Sequence, residues 1–143
     1  MDRIIPPLIS HLQADTSITD EVSTRIYWEA EQGSDPVWPF ITLEKVSSLP
    51  YHDLGGSVGV TRTRVEVDAW ATEGDTADNI GNLIRLSLDD FRGTIGNAPY
   101  TATVLGITLV DDSSEPIKPS DASPTGVHRA RLDFEITYTQ STP

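Results

Sequence analysis

An α+β fold, in which a mostly antiparallel sheet of about five strands carries two helices packed on one face, is predicted by three features of this sequence. Two segments alternate apolar and polar residues at period two. In one, Val65, Val67 and Ala69 alternate with Arg64, Glu66 and Asp68; in the other, Ala130, Leu132, Phe134, Ile136 and Tyr138 alternate with Arg129, Arg131, Asp133, Glu135 and Thr137. Two other segments repeat apolar residues at spacings of three and four: Ile5, Leu8, Ile9 and Leu12, then Ala77, Ile80, Ile84, Leu88 and Phe91. The length, 143 residues, suits a single domain over 1–143.

In chain order, Ile4 to Leu12 reads as a short helix whose first turn takes Pro6 and Pro7, where missing N–H groups cost nothing. Asp15 to Ser23 is polar and has room for one more turn, with Thr19 or Ser17 as cap. Arg25 to Trp28 is a brief strand, and a loop rich in Gly and Pro follows over 31–39. Phe40 to Ser47 is a second strand. A long loop is expected over 48–60, where Pro50 and three glycines cluster. Thr61 to Ala71 is the clearest strand. Thr72 to Phe91 is the clearest helix, capped by Thr76 or Asp75 and ended by Gly93 and Gly96. Thr101 to Val110 is a fourth strand, 111–126 is linker-like, and His128 to Thr139 is the fifth strand. The predicted order is α-β-β-β-α-β-β.

Ten Lys+Arg against 22 Asp+Glu leave a net charge of 10 − 22 = −12. That balance argues against independent binding to DNA or to an anionic membrane. Eight of the cations are Arg, which favours fixed, bidentate contacts. The absence of Cys excludes disulfides and thiolate metal sites. Met1-Asp2-Arg3 opens no signal peptide, and the longest uncharged stretch, Gly93 to Val110, is too polar to span a bilayer. A soluble chain that stays where it is made is the expectation.

Each candidate for chemistry has a plainer structural reading. Gly55-Gly56-Ser57-Val58-Gly59 matches the G-x-S-x-G pattern of a nucleophile elbow, which needs a strand before Ser57 and a helix after it. Here a loop precedes and a strand follows, so a hairpin loop is the better reading. His11, His52 and His128 lack metal-ligand spacing. His52-Asp53 resembles a base and its orienter only as neighbours on a loop. Asp111 to Glu115 lacks the spaced ligands of a calcium loop, and Asp89-Asp90 reads as solvated. Trp28, Trp38 and Trp70, without a basic groove, are interface anchors or core rather than a nucleic-acid platform. No catalytic, cofactor or metal site emerges. A small acidic domain with a charged sheet face and long loops fits an assembly component better than an enzyme.

The order of these segments resembles a known family. Arg25-Ile26-Tyr27, Pro39-Phe40-Ile41-Thr42-Leu43 and Arg62-Thr63-Arg64-Val65-Glu66-Val67-Asp68-Ala69-Trp70-Ala71 are similar to the siphophage tail terminator and tail completion (tail-to-head joining) family. Glu115-Pro116, Gly126-Val127-His128-Arg129 and the run from Leu132 to Tyr138 resemble its closing hairpin. The resemblance implies a structural protein of a phage, prophage or gene transfer agent. Such a protein is made in the host cytoplasm and sits at the virion tail or neck. It forms a ring, commonly a hexamer, that caps the tail tube, stops its polymerisation and joins tail to head. The implied partners are further copies of itself, the tail tube protein and a head-completion or stopper protein, with DNA only passing through the lumen and no membrane involved.

Tube or subunit contacts are then expected at Tyr51, His52, Asp53 and Leu54. Arg62, Arg64, Arg129 and Arg131 are expected to pair with acids such as Glu66, Asp68 or Glu135, either between subunits or across strands of one sheet. Competing functions are a head-closure or other neck connector, a small ligand-binding module, and, remotely, a serine hydrolase using Ser57.

Overall fold

The computed structural model describes residues 4–28, 36–53, 56–97, 100–117 and 126–140. Three helices and six strands run in the order α1 (Ile5–Gln13), α2 (Thr16–Val22), β1 (Ile26–Trp28), β2 (Phe40–Asp53), β3 (Gly56–Ala71), α3 (Gly74–Leu88), β4 (Gly93–Asn97), β5 (Tyr100–Ile117) and β6 (Val127–Gln140). The strands form one sheet in the order β1-β2-β3-β6-β5-β4. Only the β1–β2 pair is parallel; the other neighbours are antiparallel. The predicted α+β class holds, with one more helix and one more strand than the sequence reading counted.

Pro6 and Pro7 occupy the opening turn of α1, and Ile5, Leu8 and Leu12 are buried. Asp15 caps α2, its carboxylate accepting from the Ser17 N–H at 3.0 Å. This corrects the expected Thr19 or Ser17 cap: Asp15 has extended backbone at the residue before the first helical turn, as an N-cap requires. The third helix starts at Gly74, with Glu73 in the cap position making no side-chain cap bond, rather than being capped by Thr76 or Asp75. Its buried stripe is Ala77, Ile80, Gly81, Ile84 and Leu88. Gly81 allows close approach to the sheet, since a Cβ there would meet the Ala130 Cβ at 3.1 Å.

The core lies between the helices and one sheet face. Val65, Val67, Ala69, Leu132, Phe134, Ile136 and Tyr138 all point into it. Each of the buried Val, Leu, Ile and Phe side chains among them contributes about 1.5–3 kcal/mol relative to exposure. While α3 crosses β3, β6 and β5, α1 packs against both β1 and β4, the two edge strands. One helix reaches both edges only because the sheet curls around it. Among the described residues no helix is long and apolar enough to cross a membrane.

Two of the expected loops are strand. Over 48–60 the β2–β3 ladder continues as far as Asp53↔Gly56, and a register shift between Pro50 and His52 absorbs the irregularity. Pro50 is tolerated because, among the described residues, β1 covers β2 only at Ile41 to Leu43 and β2 is an edge strand beyond. Over 111–126, residues 111–117 pair with 127–133, and 118–125 lie outside the described residues. In both cases the partner strand supplies hydrogen bonds that local composition does not reveal. The glycines expected to end the long helix instead build β4, where Gly93 and Gly96 hold φ of 143° and 93°. Of the two acids expected to be solvated, Asp90 is exposed, whereas Asp89 is half-buried and ties the end of α3 to β5: the Leu109 N–H donates to Asp89 Oδ1 at 3.1 Å, and the Asp90 backbone N–H donates to the Ile107 carbonyl at 2.9 Å.

The division of α3 into a buried and a solvent side is testable. Ile84→Ala should lower the unfolding free energy by about 2–5 kcal/mol. Leu86→Ala, at a side chain 63% exposed, should change it by under about 0.5 kcal/mol. Urea unfolding of the two variants checks the contrast.

Candidate functional site

With the helices on one face, the other face of the sheet lacks any packed element among the described residues. Strand register arranges its side chains in lateral rows. Phe40, Trp70, Arg129 and Glu115 form the first row, and Thr42, Asp68, Arg131 and Ser113 the second. The third contains only acids: Glu44 faces Glu66, Glu66 faces Asp133, and Asp133 faces Asp111. Ser47, Arg64, Glu135 and Thr108 follow as the fourth.

The first row is an aromatic shelf. Phe40 and Trp70 stack with centroids 6.1 Å apart, and Tyr27 and Trp38 contact Phe40 at 6.1 and 5.0 Å. The Arg129 guanidinium lies 5.4 Å over the Trp70 ring and donates to the Glu115 carboxylate. Trp70 Nε1 donates to Thr42 Oγ1 at 2.9 Å. This clamp joins β1, β2, β3, β6 and β5 on the side away from the core.

The acidic row runs against the usual preference, because like charges placed directly opposite one another destabilise a sheet. Arg131 is the cation that relieves it. Its Nε lies 2.5 Å from Glu66 Oε1 and 3.4 Å from Asp68 Oδ1, so one guanidinium serves two carboxylates. Asp68 is only 6% exposed. Burial, then the neighbouring Glu66 charge, pushes its carboxyl up to about 6, although Arg131 and Arg129 pull the other way. Glu66 is also raised, first by burial and further by Asp133 and Glu44, against the pull of Arg131 and Arg129.

The residues expected to make contacts separate clearly. Arg131 pairs within the chain as above, Arg129 with Glu115, and Arg62 with Glu135 at 3.8 Å. Arg64 is exposed and makes no ion pair among the described residues. The backbones of Tyr51, His52 and Asp53 run in the far end of β2; their side chains, and all of Leu54, lie outside the described residues. Gly55 of the G-x-S-x-G run also lies outside them, and Ser57 begins a strand rather than a helix, so the nucleophile-elbow context is missing. His11 bridges α1 and α3, its Nε2 3.3 Å from the Ser87 hydroxyl and carbonyl oxygens and its ring 4.4 Å from Phe91. His128 packs at the Gly74 backbone. Residues Asp111 to Glu115 alternate between the two faces of β5 and do not converge on one point. No group of three or more His, Asp or Glu among the described residues is placed to hold a metal ion.

Sequence reasoning missed the acidic row. Alternation put Glu66 and Asp133 on a polar face, but aligning them with Glu44 and Asp111 requires the register and the bulge between Leu109 and Asp111.

Asp68 sets a pH dependence. Between pH 3.8 and about 6 the folded chain holds a proton at Asp68 that the unfolded chain has released. Stability therefore falls as pH rises through this window, by on the order of 3 kcal/mol from this group. Asp68→Asn should remove that contribution and leave the protein at least as stable as the parent above pH 6, as measured by urea unfolding of both proteins across the range.

No curated protein matches this chain in sequence. Among solved structures, a chain from the virion of a native gene transfer agent particle matches with a TM-score of 0.67 at 14% identity, over 90% of this chain and 89% of that one. At that identity the likeness shows a shared fold. The family model described as tail completion protein gp17 matches residues 6–139, the span that holds all but the first residue of α1 and all but the last residue of the sheet. The aromatic shelf, the paired hairpins and the acidic face are thus features of a structural phage tail protein: this chain belongs to the tail completion protein gp17 family.

Proposed function

We propose that this chain works in the virion as a ring, a hexamer of identical subunits, which caps the finished tail tube, halts its growth and joins the tail to the head. Family membership supports the tail role. The observation that carries the finer reading is the bipolar layout of the hairpins. β3 and β6 pair from Val60↔Thr139 to Ala71↔His128. The β2–β3 hairpin continues past the Thr139 end, to Asp53↔Gly56, and the β5–β6 ladder passes the opposite, His128 end by one pair, Ile117↔Val127. A joining piece needs two opposed surfaces, one for each neighbour along the axis.

In this reading the β2–β3 end, with Tyr51, His52, Asp53 and Leu54, meets the tube or the adjacent subunit. The opposite end meets a head-completion or stopper protein. Subunits close the ring by heterologous contacts, in which one patch on each subunit meets a different patch on the next. Arg64 is the first of the four arginines to consider for such a contact, because Arg62, Arg129 and Arg131 already have carboxylate partners within the chain. The chain acts by shape, without turnover, metal or cofactor. Its net charge of −12 keeps passing DNA from adhering to the lumen wall.

Particles made without this protein test the reading. Overlong tails lacking heads are expected; tails of normal length detached from heads would instead assign it to the neck as a head-closure component. Arg64→Glu should weaken ring formation by about tenfold or more; light scattering of the assembled species would detect this, and unchanged size would remove Arg64 from the interface.

A further inference from the structure

The outer edge of β5 changes character along its length. β4 covers it from Tyr100 to Val104, and the α3–β4 turn satisfies it at Ile107 and Leu109. Beyond Leu109 no strand lies on that side among the described residues.

The ladder with β6 shows which backbone groups are left. The Ile107 carbonyl and the Leu109 N–H point away from β6, and they oppose Ile136 and Phe134. Outward positions recur every second residue of β6, so they next oppose Leu132, Ala130 and His128. Across the bulge between Leu109 and Asp111, these partners are Asp112, Ser114 and Pro116. Pro116, which has no N–H, stands at an outward position where the β6 ladder loses nothing, as an edge proline should. The N–H and C=O groups of Asp112 and Ser114 and the C=O of Pro116 therefore face outward.

A second feature adjoins this edge. Between α3 and the β5–β6 ribbon lies an open cavity of about 420 Å³, lined by residues that include Asp78, Asn82, Arg85, Asp112, Ser114 and Leu132. Ser114 donates to Asp78 along it, and Arg85 donates to Asn82 Oδ1 at 2.8 Å. A strand added outside β5 would set alternate side chains over this cavity and the others beside Asp111, Ser113 and Glu115.

We propose that the β5 edge from Asp112 to Pro116 accepts an extended, cationic segment of a partner protein by strand addition, with the adjoining cavity receiving its alternate side chains. Main-chain hydrogen bonds supply attraction and the flanking pockets supply selection. Asp78 and Asp112 on one side, with Asp111 on the other, make the charge preference. Of the nearby cations, Arg129 is paired with Glu115 and Arg131 with Glu66 and Asp68, which leaves Arg85, hydrogen-bonded to the neutral Asn82, as one positive charge against three carboxylates. A second copy's β5 edge is a poor occupant, because acids would then face acids. The acids and Pro116 thus block self-pairing while leaving the edge open to a strand of opposite charge. The inference does not rest on the ring reading.

The full-length protein and a blocked peptide of alternating Lys and Thr provide the test, with an alternating Glu and Thr peptide for comparison. The Lys–Thr peptide should slow amide hydrogen exchange at Asp112 and Ser114, and the Glu–Thr peptide should not. Ser114→Pro removes one outward N–H and should weaken Lys–Thr peptide binding by about tenfold. The pair Asp111→Lys and Asp112→Lys, which leaves the backbone intact, should reverse the peptide preference. No slowing at these amides, slowing by both peptides alike, or an unreversed preference in the double variant would overturn the proposal.

Discussion

The pairing of β3 with β6 constrains nearly everything else in this protein. Val67 against Leu132, and Val65 against Phe134, are core contacts beneath α3. A one-residue slip of either strand would turn that strand's apolar set outward, so hydrophobic burial holds the register firmly. The same register sets Glu66 against Asp133 and Asp68 against Arg131 on the opposite face. The charged surface is therefore a consequence of the core: it cannot be rearranged without moving the buried side chains beneath it.

That coupling explains how the sheet tolerates an electrostatically unfavourable row. Facing carboxylates cost a fraction of a kcal/mol to about 1 kcal/mol per pair, while each large buried side chain on the core face is worth more. Arg131 reduces the repulsion at Glu66 and Asp68, and Asp68 meets the rest by holding its proton to higher pH. At one end of the same face Tyr27, Phe40, Trp70, Arg129 and Glu115 link five strands in one row of contacts. The face is thus packed where it is aromatic and charged where it is open. The family's role as a structural tail component is consistent with that division.

Much of the architecture was legible from residue patterns. Period-two alternation located the cores of β3 and β6, and the stripe from Ala77 to Leu88 located α3, because each element buries a regular face. Signals based on composition failed where a partner strand overrode them. Pro50 with three glycines, and the Ser, Asp and Pro run after Val110, read as loops, yet much of each is strand because β3 and β6 supply backbone partners. Gly93 and Gly96 read as a stop and instead bend the chain into β4. Of the four arginines, the sequence left pairing within the sheet or between subunits open, and three have partners within the chain.

By itself the sequence determined the fold class, the faces of the main strands and helices, the acidity and the family likeness, since these depend on local periodicity and on sums over residues. Only the tertiary structure decided that Glu44, Glu66, Asp133 and Asp111 stand abreast, that Asp68 is buried, and that Asp112 and Ser114 turn their backbone outward beside a cavity. Each of these depends on which residues of distant strands lie opposite one another. That is set by long-range packing and by bulges, which no local window of the chain contains.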